Sequence, residues 1–228
     1  MNTAIIVAAG KSERMGGKAD KAFLSLGPKP VLAYSLMLLD AHSGVDDIVL
    51  VVRKEQQLAA QGLVQMFGCR KVRKIVAGGS TRLASVRNGL AACDPDETRV
   101  VLVHDGARPC VTHQIVADCI ASAAKNGSGV AATKLVDSVK LVQKGFLVSG
   151  SLDRDKVWTV QTPQAFRFDL LQRAIAAVQD KDPRITDEAS AVELLGEPVR
   201  LVPSATPNPK ITVPEDLVTA ARLLGVSV

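Results

Sequence analysis

The chain has 228 residues and a formal net charge of +5 at pH 7, with 47% hydrophobic, 22% charged and 3% aromatic residues. These values are typical of a globular domain. Because so few aromatic side chains are available to stack on bases, we expect no nucleic-acid partner. No apolar run approaches the ~20 residues of a membrane span, and we see no signal peptide at the N-terminus. We therefore expect a cytoplasmic protein without a membrane partner.

Strand-like and helix-like runs alternate along most of the chain. Apolar runs predict strands at residues 4–7, 48–52, 74–77, 100–103, 129–133, 157–160 and 199–202. Helical spacing and capping residues predict helices at residues 30–40, 55–67, 82–92, 113–124, 168–178 and 187–195, and a capping box at Thr212 and Glu215 begins a last one. This alternation predicts a Rossmann-like α/β fold, a mostly parallel twisted sheet with helices on both faces.

The alternation breaks at about residues 137–155. Two short strand-like runs, 139–142 and 146–148, flank Gln143-Lys144-Gly145, which predicts a protruding β-hairpin arm. The hairpin is too short and too charged to have a core of its own, so we expect it to pack on something else, often another subunit. The predicted organisation is one domain over residues 1–228 that carries this arm.

The stretch from Ala8 to Lys21 combines glycines with cations directly after the first predicted strand. Its glycines and cations are Gly10, Gly16, Gly17, Lys11, Arg14, Lys18 and Lys21. Glycine lets the backbone approach a ligand and cations meet negative oxygens, so the stretch predicts a polyphosphate site; a flexible basic surface loop is the alternative. The dinucleotide-binding pattern fails because Ser12 stands where glycine is required, and this disfavours a nicotinamide oxidoreductase. The P-loop pattern fails because Ala19 stands where serine or threonine is required.

Polar residues also follow other predicted strands, and in a parallel sheet such residues gather at one edge. Asp105 could hold Mg²⁺ against phosphate oxygens, or it could cap a turn. Arg108 could clamp a phosphate with two hydrogen bonds, or it could lie on the surface. The other groups at strand ends are Gly78-Gly79-Ser80-Thr81-Arg82, Gln161-Thr162-Pro163-Gln164 and Lys210.

The histidines and cysteines indicate neither a catalytic triad nor a metal cluster. The three histidines are scattered, and the side chain of His104 is expected to point away from that of Asp105, because neighbouring strand residues face opposite sides. The four cysteines form no C-x-x-C pair, so a zinc site is disfavoured and free thiols in a reducing cytosol are the simplest account.

Taken together, these stretches resemble one enzyme family from end to end. The matching stretches are Ala8-Ala9-Gly10, Arg14-Met15-Gly16, Lys21, Gly78-Gly79, Arg82, Ser85-Val86, Gly89-Leu90, Asp105-Gly106-Ala107-Arg108-Pro109, Thr162-Pro163-Gln164-Ala165-Phe166, Thr186-Asp187-Glu188-Ala189, Lys210-Ile211-Thr212 and Pro214-Glu215-Asp216-Leu217. The chain thereby resembles the 2-C-methyl-D-erythritol 4-phosphate cytidylyltransferases.

The resemblance implies transfer of a cytidylyl group from CTP to methylerythritol phosphate, with release of pyrophosphate, in non-mevalonate isoprenoid biosynthesis. It implies catalytic roles for Arg14, Lys21, Arg154 and Lys210. It implies nucleotide binding by Ala8, Ala9, Gly10, Gly78, Ser85 and Asp105, with Mg²⁺ held at Asp105. It further implies binding of the acceptor phosphate by Arg108, Ser138, Thr162 and Thr186.

The resemblance also implies a homodimer in which the arm crosses to the partner, so that Arg108, Ser138 and Arg154 serve the other subunit's site. Ser12, Asp20 and Ser138 depart from the residues that the family often carries, which are Gly, Pro and Thr respectively, and the effect of these departures is open.

An anionic phosphate can act as the nucleophile without a general base, and this fits the lack of a histidine or glutamate pair in the sequence that could serve as one. The mechanism then depends on cations and Mg²⁺ that offset repulsion between phosphates.

Three alternatives remain at this stage. A cytidylyltransferase for ribitol 5-phosphate or another alditol phosphate would differ mainly around the acceptor pocket, near Ser138, Arg154 and Thr186. A related enzyme could activate a sugar or a pterin cofactor with another nucleotide. A non-catalytic nucleotide-binding dimer is disfavoured, because the chain retains the whole set of proposed catalytic cations and Asp105.

Overall fold

A seven-stranded sheet lies at the centre of the computed structural model, which describes residues 1–10 and 20–227. The strands of the described residues are β1 (Asn2–Ala8), β2 (Ser25–Leu26), β3 (Lys29–Pro30), β4 (Asp47–Val52), β5 (Val72–Ala77), β6 (Val100–Asp105), β7 (Ser128–Lys134), β8 (Val139–Val142), β9 (Val148–Leu152), β10 (Trp158–Arg167) and β11 (Leu201–Pro203). The helices are α1 (Val31–Ala41), α2 (Gln57–Met66), α3 (Arg82–Ala91), α4 (His113–Asn126), α5 (Phe168–Ala176), α6 (Glu188–Leu194) and α7 (Glu215–Leu224).

The strand order in the sheet is β11-β7-β10-β6-β1-β4-β5. Strand β10 runs antiparallel to β6 and β7, and all other neighbours in this sheet are parallel. The predicted mostly parallel α/β fold with a separate hairpin is therefore confirmed. The carboxyl ends of β1, β4, β5 and β6 lie side by side, which is where ligands bind in such sheets.

Alternating strand residues bury the two faces of the sheet against different helices. On one face, Ile6, Leu50 and Leu102 pack with side chains of α1, α2 and α4. On the other face, Ile5 and Val103 pack with side chains of α3, α5 and α6. Because both faces are covered, the central strands contain continuous apolar runs rather than an apolar residue at every second position, as is typical of parallel sheets.

Capping side chains begin several helices near the predicted positions. The hydroxyl of Thr112 accepts the backbone N–H of Ile115 and begins α4. Before α7, the sequence predicts a capping box between Thr212 and Glu215, and this prediction is wrong about the acidic residue. The carboxylate of Asp216, not that of Glu215, accepts the backbone N–H and the hydroxyl of Thr212, both at 2.7 Å. The side chain of Asp216, one residue further along, reaches back to these donors.

Strand β10 is longer than predicted. The sequence predicts that the strand ends at Val160 and that a loop follows, but the strand continues to Arg167. The pairing register with β7 breaks between Val160 and Gln164, and this irregular stretch contains Pro163 after a cis peptide bond. A register break accommodates proline, which lacks the N–H that a regular ladder needs.

The predicted arm forms an antiparallel hairpin of β8 and β9 with a turn at Lys144–Phe146. Large apolar side chains are exposed along it: Phe146 is 91% exposed and Leu147 is 66% exposed. Among the described residues, no helix is both long enough and apolar enough to cross a membrane.

Candidate active site

A cavity of about 750 Å³ opens at the carboxyl ends of β1, β4, β5 and β6. Residues that follow these strands line it, together with residues from the C-terminal part of the chain. The predicted site residues among them are Ala8, Ala9, Gly10, Lys21, Gly78, Ser85, Asp105 and Lys210. The structure thus brings together eight side chains or backbone segments that lie up to about 200 residues apart in the chain, because the parallel strands share one edge.

Gly78 and its neighbours form a narrow wall of this cavity. A Cβ atom at Gly78 would lie 2.3 Å from the Cβ atom of Ala9 and 2.9 Å from Oγ of Ser85. The hydroxyl of Ser85 accepts the N–H of Gly79 at 3.1 Å and donates to the carbonyl of Thr81 at 2.9 Å. Small residues are needed here because the two backbone segments approach too closely for any side chain at Gly78.

Asp105 lies at the end of β6 with cations on both sides of its carboxylate. Nζ of Lys210 lies 2.7 Å from Oδ2, and Nε of Arg82 lies 3.1 Å from Oδ1. Nε of Arg108 is more distant, at 3.9 Å from Oδ2. Burial alone would raise the pKa of Asp105, but the three cations outweigh burial and hold this pKa well below its ordinary value. The carboxylate is therefore ionised at neutral pH.

Arg82 and Glu188 are two residues beside Asp105 to which sequence reasoning assigned no role. Both guanidinium NH groups of Arg82 donate to the Glu188 carboxylate, at 2.6 and 3.0 Å, while its Nε binds Asp105. Glu188 is fully buried, and burial raises its pKa despite the neighbouring arginine. A bidentate arginine is rigidly oriented, so the pair holds the carboxylate of Asp105 in place. Both residues stand in stretches that carry the family resemblance, which was the available signal.

Lys21 begins a short turn of 3₁₀ helix at Lys21–Phe23, and its Nζ donates to the carbonyl of Ile211 at 3.0 Å. The ammonium group therefore lies between the N-terminal and C-terminal parts of the cavity wall. Arg14, the other cation predicted at the triphosphate, lies outside the described residues.

The family model for 2-C-methyl-D-erythritol 4-phosphate cytidylyltransferase, IspD, matches residues 2–225. The chain belongs to this family. The prediction of a nucleotidyltransferase of the non-mevalonate isoprenoid pathway is therefore confirmed.

Individual relatives agree with the family assignment. The chain is 44% identical to the 2-C-methyl-D-erythritol 4-phosphate cytidylyltransferase of Dehalococcoides mccartyi, over 97% of this chain and 95% of the relative. It is 41% identical to that of Syntrophotalea carbinolica, over 96% and 94%. The crystal structure of 4-diphosphocytidyl-2C-methyl-D-erythritol synthase from Anaerococcus prevotii matches with a TM-score of 0.86 at 30% identity, over 98% of this chain and 96% of that chain.

Two of the predicted acceptor residues, Thr162 and Arg108, are not among the residues that line the cavity. Thr162 is buried, and its hydroxyl accepts the backbone N–H of Asp105 at 3.0 Å and contacts Nδ1 of His104 at 3.2 Å. Arg108 donates to the carbonyl of Asn208 at 2.7 Å. Within a single chain, both residues support the segment that carries Asp105.

The other two predicted acceptor residues, Ser138 and Thr186, and the predicted catalytic residue Arg154 are exposed and are not among the cavity-lining residues. Ser138 lies on the arm, and Arg154 lies at its base, where NH1 donates to the carbonyl of Val136 at 3.1 Å. Thr186 precedes α6, and its backbone N–H donates to Oγ of Ser190. The single chain does not bring these residues into the cavity, so their predicted roles depend on a second subunit or on bound substrate.

Proposed function

We propose that this cavity is where CTP and methylerythritol phosphate react, giving the CDP-linked methylerythritol and pyrophosphate. In the proposed reaction, a phosphate oxygen of the acceptor attacks the α-phosphorus of CTP, and the bond to the β-phosphate oxygen breaks. The observation that carries the proposal is the Asp105 carboxylate, held between Arg82 and Lys210 in a glycine-walled cavity. Family membership identifies the two substrates.

Charge is the main obstacle to this reaction, because both the nucleophile and the α-phosphate are anionic. Fixed cations at such a site stabilise charge that develops in the transition state. Lys21 and Lys210 line the cavity and are proposed to meet the triphosphate and the acceptor phosphate, respectively. Arg14 is proposed to act with Lys21 at the triphosphate. The acceptor phosphate needs no general base, since its second pKa is about 6.

The donor set fits Mg²⁺ as the proposed cofactor. Among the described residues there is no group of three or more His, Cys, Asp or Glu side chains that could form an all-protein metal cage. Mg²⁺ is commonly held by one or two carboxylates together with substrate phosphates and water, so Asp105 alone is a sufficient protein ligand. The ion would neutralise charge on the phosphate oxygens.

The cavity wall that Ala9 and Gly78 form is proposed to face the cytosine and ribose. Ala8, Gly10 and Ser85 border the same wall. A flat base can lie against a wall of small residues, and backbone N–H and C=O groups there can read its polar edge. The predicted roles of these five residues in nucleotide binding form part of this proposal.

We also propose a homodimer through the arm. The exposed apolar side chains of β8, β9 and their turn support it, since such a patch on a protruding element marks an interaction surface. In that dimer, Arg154, Ser138 and Arg108 would complete the acceptor site of the partner, with Thr162 and Thr186 contributed by the other chain. The cytoplasmic location and the single-domain organisation stay predictions.

Pyrophosphate release tests the proposed reaction. We expect release from CTP and Mg²⁺ with methylerythritol phosphate, and much slower release with ribitol, erythritol or glucose phosphates or with UTP, GTP or ATP. Faster release with ribitol phosphate would instead assign the alditol-phosphate alternative, and weak discrimination among nucleotides would favour the sugar or pterin alternative. Absence of any release with CTP would refute an enzymatic role for the cavity.

Mixing two impaired variants, assayed at a methylerythritol phosphate concentration near the wild-type KM, tests the dimeric site. Lys210→Ala removes a cation within one subunit, and Arg154→Ala removes one that is proposed to act on the partner. If Arg154 acts in the partner's site, mixed dimers contain one intact site, and random mixing should restore about a quarter of the wild-type activity per dimer. No recovery, with mixed dimers verified by their mass, would place Arg154 within its own subunit or outside the site.

A further inference from the structure

Asp20 stands directly before the proposed catalytic Lys21 and is almost fully buried, with 2% of its side chain exposed. Each carboxylate oxygen has its own partner. Oδ1 accepts the backbone N–H of Ala22 at 3.1 Å, which caps the turn that begins at Lys21. Oδ2 accepts Nε of Arg53, also at 3.1 Å. A buried carboxylate with two such hydrogen bonds is rigidly held.

Arg53 provides a fixed anchor for this carboxylate. It follows β4 directly, and β4 pairs with β1 on one side and with β5 on the other. Central strands of this kind are the least mobile parts of a fold. The salt bridge therefore connects the start of the Lys21 turn to the rigid sheet, and Asp20 and Arg53 both line the cavity.

Lysine has a long and flexible side chain, and holding its ammonium group in one place costs conformational entropy. At Lys21, the backbone is held by the Asp20 cap and the ammonium group contacts the carbonyl of Ile211. The cap and the salt bridge thus determine where the side chain starts, and the carbonyl contact helps determine where it ends.

We propose that Asp20 and Arg53 form a positioning pair that places Lys21 for catalysis. The proposal rests on the proposed role of Lys21 at the triphosphate. It accounts for Asp20, a departure whose effect the sequence left open: the carboxylate attaches the lysine segment to β4. Two other roles are distinct from this one. The pair could stabilise the fold alone, or Arg53 could itself contact the triphosphate.

A double-mutant cycle separates these roles. Asp20→Asn and Arg53→Gln are each made in the wild type and in Lys21→Ala, and kcat, both KM values and Tm are measured for every variant. In the wild type we expect each change to lower kcat by about 10–100-fold, the scale of a misplaced catalytic group, with the acceptor KM changed less than about threefold. In Lys21→Ala the same changes should have almost no further effect on kcat, because the group that they position is absent.

Asp47 and Arg73 supply a matched control. Nε of Arg73 lies 3.1 Å from Oδ1 of Asp47, the same separation as in the Asp20–Arg53 pair, but the two residues lie away from the cavity. Asp47→Asn should leave kcat unchanged. Rescue is also expected: Asp20→Glu keeps the charge and should retain more of kcat than Asp20→Asn.

Two results would overturn the positioning role. Losses of kcat that multiply with the loss from Lys21→Ala would show that the pair acts independently of Lys21, through the fold or through direct contact by Arg53. A fall in Tm with kcat unchanged would show a structural role alone. A different result would refute the underlying function: if Lys21→Ala itself retained kcat within about threefold, Lys21 would not be the catalytic cation.

Discussion

Gly78→Ala offers a direct test of the narrow wall that is proposed to hold the cytidine. The added Cβ atom would lie 2.3 Å from the Cβ atom of Ala9, whereas carbon atoms in contact lie roughly 3.5–4.0 Å apart. The two segments would therefore have to separate by more than about 1 Å. Overpacking of this kind typically destabilises a protein by about 1–3 kcal/mol. A shift of about 1 Å at a reactive site can lower the rate by about 10²-fold.

We expect Gly78→Ala to lower kcat/KM for CTP by about 10²-fold and to lower the free energy of unfolding by about 1–3 kcal/mol. Pyrophosphate release at varied CTP concentration measures the first quantity, and urea denaturation measures the second. Because Ala9 and Ser85 belong to the wall that is proposed to face the cytidine, the KM for CTP should rise more than the KM for the acceptor.

Gly62→Ala is the control for this substitution. Gly62 lies in α2, and a Cβ atom there would meet nothing within 4 Å. Alanine has the higher helix propensity, so this variant should be more stable by about 0.5–1 kcal/mol and should keep the wild-type kcat/KM. If Gly78→Ala matched Gly62→Ala in both stability and kcat/KM, the close approach of Gly78 and Ala9 would not matter for CTP binding, and the assignment of this wall to the cytidine would be refuted.

Three further predictions concern the cations and a buried histidine. Lys21→Ala should lower kcat/KM by about 10²–10³-fold with Tm retained, and a loss below about threefold would refute its catalytic role. Arg154→Ala should raise the KM for methylerythritol phosphate far more than the KM for CTP. The control Lys156→Ala, on the same turn and with a side chain that is 85% exposed, should change neither KM. Equal effects of Arg154→Ala on both KM values would contradict the assignment of Arg154 to the acceptor site. Burial lowers the pKa of His42, whose Nδ1 accepts the N–H of Gly44 at 2.9 Å. Folding therefore favours the neutral imidazole. The hydrogen bond that Nδ1 accepts contributes ~1 kcal/mol to the free energy of unfolding. This contribution is complete above the unfolded pKa of about 6.5, and it is lost as the pH falls below that value towards the lower pKa of the folded state. The stability difference between the wild type and His42→Gln should narrow between about pH 7.5 and about pH 5.5, and an unchanged difference would contradict this.

Local sequence patterns determined most of the fold. The apolar runs predicted β1, β4 and β6 to within two residues at either end, because a strand buried on both faces must be continuously apolar. Capping residues likewise predicted where α4 begins. The existence of the hairpin arm was also predictable, since its turn lies within one short segment, but its second strand begins at Val148 rather than at the predicted residue 146.

Tertiary structure decided which distant residues meet in the candidate site. Arg82 and Glu188 are 106 positions apart, and their pairing beside Asp105 follows from how α3 and α6 pack on the same face of the sheet. Strand β10 pairs between β6 and β7, so Pro163 lies within a strand where the local pattern predicted a loop. Chain periodicity carries no information on these pairings, because long-range packing and charge complementarity select them only in the folded chain.

The stretch from Ala8 to Lys21 shows the same division between what the sequence determines and what the tertiary structure decides. The sequence by itself determined that glycines and cations follow β1, and it predicted phosphate binding there because glycine and lysine have properties suited to it. Only the tertiary structure decided that Asp20 binds Arg53 and that Lys21 reaches the carbonyl of Ile211, 190 positions away. Composition sets the chemistry that a segment can offer, whereas the packed sheet sets the place from which it acts.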